Sequence, residues 1–132
     1  MNNKQRSLAR ENIVKILYQQ DISGDTFVYI LKYFIEKRKY DEIYFLEMID
    51  ALDNNLLKID KFIESKSDIK LKYTASIDKA ILRLSICEHL YKSDIPRKVI
   101  IDEGINIAKK FSSEKSFKFI NKMLDNLIEC KS

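Results

Sequence analysis

Apolar residues recur at helical spacing along nearly the whole chain, and the breaks in that spacing divide it into successive helices. Ala9, Ile13, Ile16 and Leu17 mark a first helix, which stops near Ser23 and Gly24, where glycine releases the chain. A second runs from about Asp25, a suitable N-cap, to Arg38, with Phe27, Ile30, Leu31 and Phe34 as its buried stripe. A third spans about Asp41 to Glu64 on Tyr44, Phe45, Met48, Ile49, Leu52, Leu56, Ile59, Phe62 and Ile63. Residues 65–75 lose the period and connect an N-terminal helical half, about 1–65, to a C-terminal half, about 76–130; they have room for one short turn of helix. Ser76 is expected to cap a helix reaching Lys92, with Ile77, Ile81 and Leu84 on one face and Leu82, Ile86 and Leu90 on another. An element apolar on two faces is either central to the fold or docks a partner protein on its second face. Asp94 and Pro96 open the next helix, which ends near Phe111, and the last runs from about Ser113 to Glu129.

Composition supports an all-α reading of six to seven helices in one domain of 132 residues. Two glycines and one proline are too few for the turns of a many-stranded sheet, and 45% hydrophobic with 33% charged residues suits a folded chain. No apolar run approaches the ~20 residues of a membrane span. The first twenty residues are basic and amphipathic, unlike a secretory signal, so a cytoplasmic location is expected. Cys87 and Cys130 are then reduced thiols, Cys87 packed as a small hydrophobe.

Catalytic chemistry finds little support. The single histidine, His89, has only Ser85 and Asp78 as helical neighbours, which do not make a nucleophile and base. Asp102 and Glu103 are adjacent and diverge by about 100° on a helix, so they read as solvated charges rather than an acid-base pair. Neither zinc-type Cys and His spacing nor a glycine-rich phosphate loop occurs, so no metal or cofactor is implied. Glu88 projects near the Ile81 and Leu84 stripe and must be paired or capped there.

Charge is informative in its distribution. The net +4 is concentrated in two segments: Lys4, Arg6, Arg10 and Lys15 against Glu11 give +3 in residues 1–20, and residues 97–122 carry +4. Brought together by the fold, they would make one basic patch. On the last helix Phe117, Ile120, Leu124, Leu127 and Ile128 share the core arc, whereas Phe119 projects beside the arc of Lys115, Lys118 and Lys122. An aromatic ring beside lysines suits an unpaired RNA base, the ring stacking on the base and the ammonium groups holding flanking phosphates. Helical geometry alone leaves the alternative open, a ring packed under a neighbouring helix beside a solvated lysine face. Arg10, Val14 and Tyr18 form a comparable row on the first helix, one turn after Arg6, and Tyr18 could equally be half-buried core.

Specific strings narrow the reading further. Ala9-Arg10-Glu11 leads to Leu17-Tyr18; Ile77-Asp78-Lys79-Ala80-Ile81-Leu82-Arg83-Leu84 follows, then Asp94-Ile95-Pro96-Arg97-Lys98-Val99, Asp102-Glu103, Ala108-Lys109, Lys118-Phe119-Ile120-Asn121 and Leu124-Asp125. In this order the strings resemble the NusB family of bacterial transcription antitermination factors. The resemblance is strong from Ile77 to Asp125, whereas residues 21–70 match only in helical character. It implies an all-helical fold of two small subdomains without enzymatic activity. It also implies binding to single-stranded boxA-type RNA of ribosomal RNA leader transcripts together with the ribosomal protein NusE, and indirect association with other elongation factors and RNA polymerase. Its RNA-facing surface falls on Arg6, Arg10, Tyr18, Lys118, Phe119 and Asn121, to which the wheel adds Lys115 and Lys122; its NusE-facing surface falls around Asp78 and Leu82. Two departures stand out: Ser7 and Leu8 interrupt the arginine run, and Lys122 replaces the usual glycine after the asparagine. Alternative readings are the NusB-like accessory module of a ribosomal RNA cytosine methyltransferase, for which 132 residues leave no cofactor domain, and a helical protein-binding adapter.

Overall fold

The computed structural model describes residues 2–129 as six α-helices and one 3₁₀ turn, without strands among the described residues. The helices are α1 (Asn3–Ser23), α2 (Phe27–Tyr33), α3 (Glu42–Ser65), α4 (Ser76–Tyr91), α5 (Arg97–Phe111) and α6 (Glu114–Leu127); the 3₁₀ turn is Leu71–Tyr73. Cys130 lies outside the described residues. Asn2, Thr26, Asp41 and Ser113 cap their helices, each side-chain oxygen accepting a backbone N–H, and Gly24 ends α1 at φ +73 with its N–H on the Gln20 carbonyl.

Several helix ends, and the course of α3, depart from the sequence expectation for identifiable reasons. The second helix is half as long as its pattern, because the chain leaves the helix at Phe34 so that Phe34 and Tyr40 can both reach Phe45, with ring centroids at 5.7 and 5.4 Å. Thr26, not Asp25, is its cap. In α3 the ladder is kinked at Asn55, whose side chain donates to the Ala51 carbonyl at 2.8 Å and competes with the backbone, leaving Leu56 half-buried. Ser76 does not cap α4. Its hydroxyl donates to Asp21 on α1 at 2.6 Å, and neither Asp94 nor Pro96 supplies a capping side-chain bond to α5.

Helix α4 is the central element. Residues 80–88 are all buried, and α4 packs against α1, α3, α5 and α6. Its two apolar faces therefore both serve the core, with Leu90 emerging at the end. Charged residues lock it to its neighbours: Asp21 takes Ser76, Lys79 and Arg83, while Arg83 also grips Asp60 on α3 with two bonds of 2.8 Å. Burial alone would push the Asp21 carboxyl up, but the hydrogen bonds from Ser76 and Lys79 and the nearby cations hold it below its ordinary value. Cys87 is buried and free, its thiol pushed up to about 12 by burial.

At the junction of α4, α5 and α6 the helices approach closely at Gly104. A β-carbon there would meet Leu124 Cδ1 at 2.8 Å and Ser85 Oγ at 3.1 Å. Gly104→Val is expected to destabilise the protein by about 1–3 kcal/mol through overpacking, seen as a lower urea midpoint with unchanged slope.

Candidate nucleic-acid interface

The α6 face behaves as its wheel requires on the core side: Ile120, Leu124, Leu127 and Ile128 are buried. On the outer side Lys115, Lys118, Asn121 and Lys122 are exposed. Lys118 makes one exposed i,i+4 pair with Glu114 at 3.3 Å, and Lys115 and Lys122 make no ion pair among the described residues. Phe119 falls between the two readings that its wheel left open. Its ring is half-buried against the core and also lines a cleft of about 410 Å³, with Lys115 and Ser116 on α6, Asp78 on α4, and Ile69, Lys70 and Tyr73 from the connection. The ring is thus packed in part against the core while it also lines the open cleft.

A second cleft, of about 520 Å³, is lined by Val14, Lys15, Tyr18 and Ile22 on α1, Ile77 on α4 and Phe111 on α5. Ile77 in this cleft and Asp78 in the first are consecutive, so both clefts adjoin the first turn of α4. Tyr18 is 43% exposed.

The N-terminal arginines are placed differently from their expectation. Arg10 is only 3% exposed, and its guanidinium donates to Glu88 at 2.8 Å and to Glu103 at 3.0 Å. Val14 is also buried, so the row from Arg10 to Tyr18 reaches the surface only at Tyr18. Arg6 donates to Asp41 at 2.9 Å and lies 4.0 Å over the Tyr44 ring, leaving its side chain about one third exposed. The +3 of the first segment is thus partly neutralised by Asp41 at the α3 cap and by acids of α4 and α5, while the exposed Lys15 of the first segment and Lys110 of the second both lie near the Phe111 ring, at 5.8 and 5.7 Å from its centroid. Glu103 is no free surface charge either, since Ser7 donates to it at 2.6 Å. Glu88 meets its expectation: Arg10 and the Tyr44 hydroxyl both donate to it, and burial holds its carboxyl above the ordinary range despite the guanidinium.

Leu82, expected at a partner surface, is fully buried under α4's neighbours. Asp78 lines the Phe119 cleft. Conversely, Lys70, Tyr73 and Phe111 line the clefts without having been singled out in the sequence, and Lys15, counted there only in the basic segment, lines the second. The available signal was the pair of exposed aromatic residues at helix ends, Tyr73 beside Lys72 and Phe111 beside Lys110, each with a lysine ammonium within 6 Å of its ring. His89 lies against Phe62 at 5.9 Å between ring centroids. Among the described residues no group of three or more His, Cys, Asp or Glu could hold a metal ion, and no helix is long and apolar enough to cross a membrane.

Comparison with known proteins decides the family. The NusB family profile matches residues 7–129. The chain belongs to the NusB family. Transcription antitermination protein NusB of Buchnera aphidicola subsp. Cinara cedri is 40% identical over all of this chain and 95% of its own length. That of Clostridium novyi is 36% identical over 94% and 98%. NusB of T. maritima superposes with a TM-score of 0.81 at 31% identity, covering 93% of this chain and 89% of that one. A complex of antitermination factors NusB and NusE with double-stranded RNA contains a chain of the same fold, at a TM-score of 0.83 and 21% identity over 96% of this chain and 98% of that one. The NusB relatives are named as antitermination proteins rather than enzymes, and this chain is a transcription antitermination factor of their kind.

Proposed function

We propose that the chain binds single-stranded, boxA-type RNA of ribosomal RNA leader transcripts together with NusE, and reaches RNA polymerase and other elongation factors through that assembly. The observation that carries this reading is the α6 face, where three exposed lysines stand in a row beside a half-buried aromatic ring that opens into a cleft. Ammonium groups hold phosphates without regard to sequence, and a ring anchored on one side stacks on an unpaired base with little loss of rotamer freedom. The proposed contacts are Lys115, Lys118, Phe119, Asn121 and Lys122, with Tyr18 at the neighbouring cleft and Arg6 at the margin. The solved complex of NusB and NusE with double-stranded RNA, on the same fold, supports RNA and NusE as the partners in this reading. Arg10 is left as a structural residue.

Affinity for a boxA-like RNA, measured by fluorescence anisotropy with and without NusE, tests the reading. Phe119→Ala is expected to lose about 1–3 kcal/mol of binding. A Phe119→Ala protein that remains folded and binds with unchanged affinity would remove α6 from the interface.

A further inference from the structure

The Phe119 cleft contains one group that neither stacking nor phosphate binding requires. Asp78 is the third residue of α4 and only 7% exposed. Its Oδ2 receives the Ser116 hydroxyl at 3.4 Å, its Oδ1 accepts no hydrogen bond, and it forms no ion pair among the described residues. Burial pushes its carboxyl above the ordinary range. The start of a helix tolerates an acidic group, but a largely buried carboxylate with an unused oxygen still lacks the donors that it had in water. The cleft is also lined by the Phe119 ring, the Tyr73 ring, which is 80% exposed, Ile69, Lys70 and Lys115, and among the described residues none of these bonds to the carboxylate.

We infer that Asp78 is a specificity residue that reads the Watson–Crick edge of a guanine held in this cleft against Phe119 and Tyr73. The inference rests on the RNA-binding reading above and adds the identity of the base. A carboxylate offers acceptors only, two oxygens side by side. Among the four RNA bases, guanine alone presents two adjacent donors, N1–H and the N2 amino group, on that edge. Adenine and cytosine present one donor beside a ring-nitrogen acceptor, and uracil presents one donor between two carbonyls. In each of those cases an acceptor faces the carboxylate and is repelled. Lys70 and Lys115 would hold the flanking phosphates and offset their repulsion from Asp78. A carboxylate that only complements the α4 dipole would confer no base preference, which separates the two roles.

The test uses the full-length chain with NusE present and a set of short single-stranded RNAs, identical except that one guanine is kept or replaced by inosine, which lacks the N2 amino group, or by adenine. The guanine RNA is expected to bind about tenfold more tightly than either replacement. Asp78→Asn, nearly isosteric, is expected to abolish that preference, weakening the guanine RNA and relieving the repulsion of the adenine RNA, and Tyr73→Ala to weaken all three. Equal binding of guanine and inosine RNAs by the unaltered protein at every position tried overturns the inference, as does a preference that survives in Asp78→Asn. In either case the RNA-binding reading stands, whereas failure to bind any of the RNAs overturns both.

Discussion

Arg10→Ala is expected to lower the free energy of unfolding by about 3–5 kcal/mol, read from urea melts. The guanidinium is the shared cation of two carboxylates, Glu88 on α4 and Glu103 on α5, at 2.8 and 3.0 Å. Glu88 is itself buried, and only Arg10 and the Tyr44 hydroxyl satisfy it among the described residues. Removing the arginine leaves a carboxylate in the core without its cation, the case in which a buried pair is most costly to break. A loss under about 1 kcal/mol, the range of exposed pairs, would contradict the burial that the structure gives Arg10.

The pH dependence of the variant follows from the same geometry. Burial already raises the Glu88 carboxyl, with Arg10 the largest influence pulling it down, so its loss raises that carboxyl further. A carboxyl whose folded pKa lies above its unfolded value favours the fold when protonated. That contribution is complete below the unfolded pKa and disappears as pH rises through the folded one. Arg10→Ala should therefore be least damaged in acid and most damaged near neutrality. Replacing Glu88 by leucine as well removes the stranded charge and should recover part of the loss.

Arg10 also shows where sequence reading ends. The helical period places five helices within a few residues of their ends and marks α4 as apolar on two faces through Ile81, Leu82, Leu84 and Ile86, and the burial of all four in the fold decides for the core over a partner surface. Phe119 is likewise visible as a ring off the core arc. What the period does not contain is the partner of a charge. Arg10 stands 78 residues from Glu88 and 93 from Glu103, and Arg6 stands 35 from Asp41. A cation that looks free on a wheel is neutralised by acids that only the tertiary fold delivers. The early end of α2 has a similar origin, since its apolar stripe continues to Phe34 but the demand of Phe45 for two ring neighbours overrides it. Tyr73 and Lys70 escaped notice because a segment without a period gives no hint of which side chains it turns toward a cleft.

Because the N-terminal arginines are largely engaged internally, the row of exposed lysines on α6 carries much of the charge of the proposed RNA interface, with a measurable consequence. The triple variant Lys115→Ala, Lys118→Ala, Lys122→Ala removes exposed side chains from a helix face that contributes nothing to the core, and alanine is a better helix former, so the fold is expected to persist. Each single-strand phosphate contact contributes about 0.7 to the slope of log affinity against log salt, so three contacts account for about two units of slope. Between 50 and 200 mM salt the affinity of the unaltered protein should thus fall about twentyfold more than that of the variant. Arg10→Ala serves as the contrast: where it remains folded, its salt slope should match that of the unaltered protein, because a guanidinium held by Glu88 and Glu103 releases no counterion from RNA. An undiminished slope in the triple variant, or a reduced one in Arg10→Ala, would move the phosphate contacts from α6 back to the start of α1 and require the Arg10 network to open on binding.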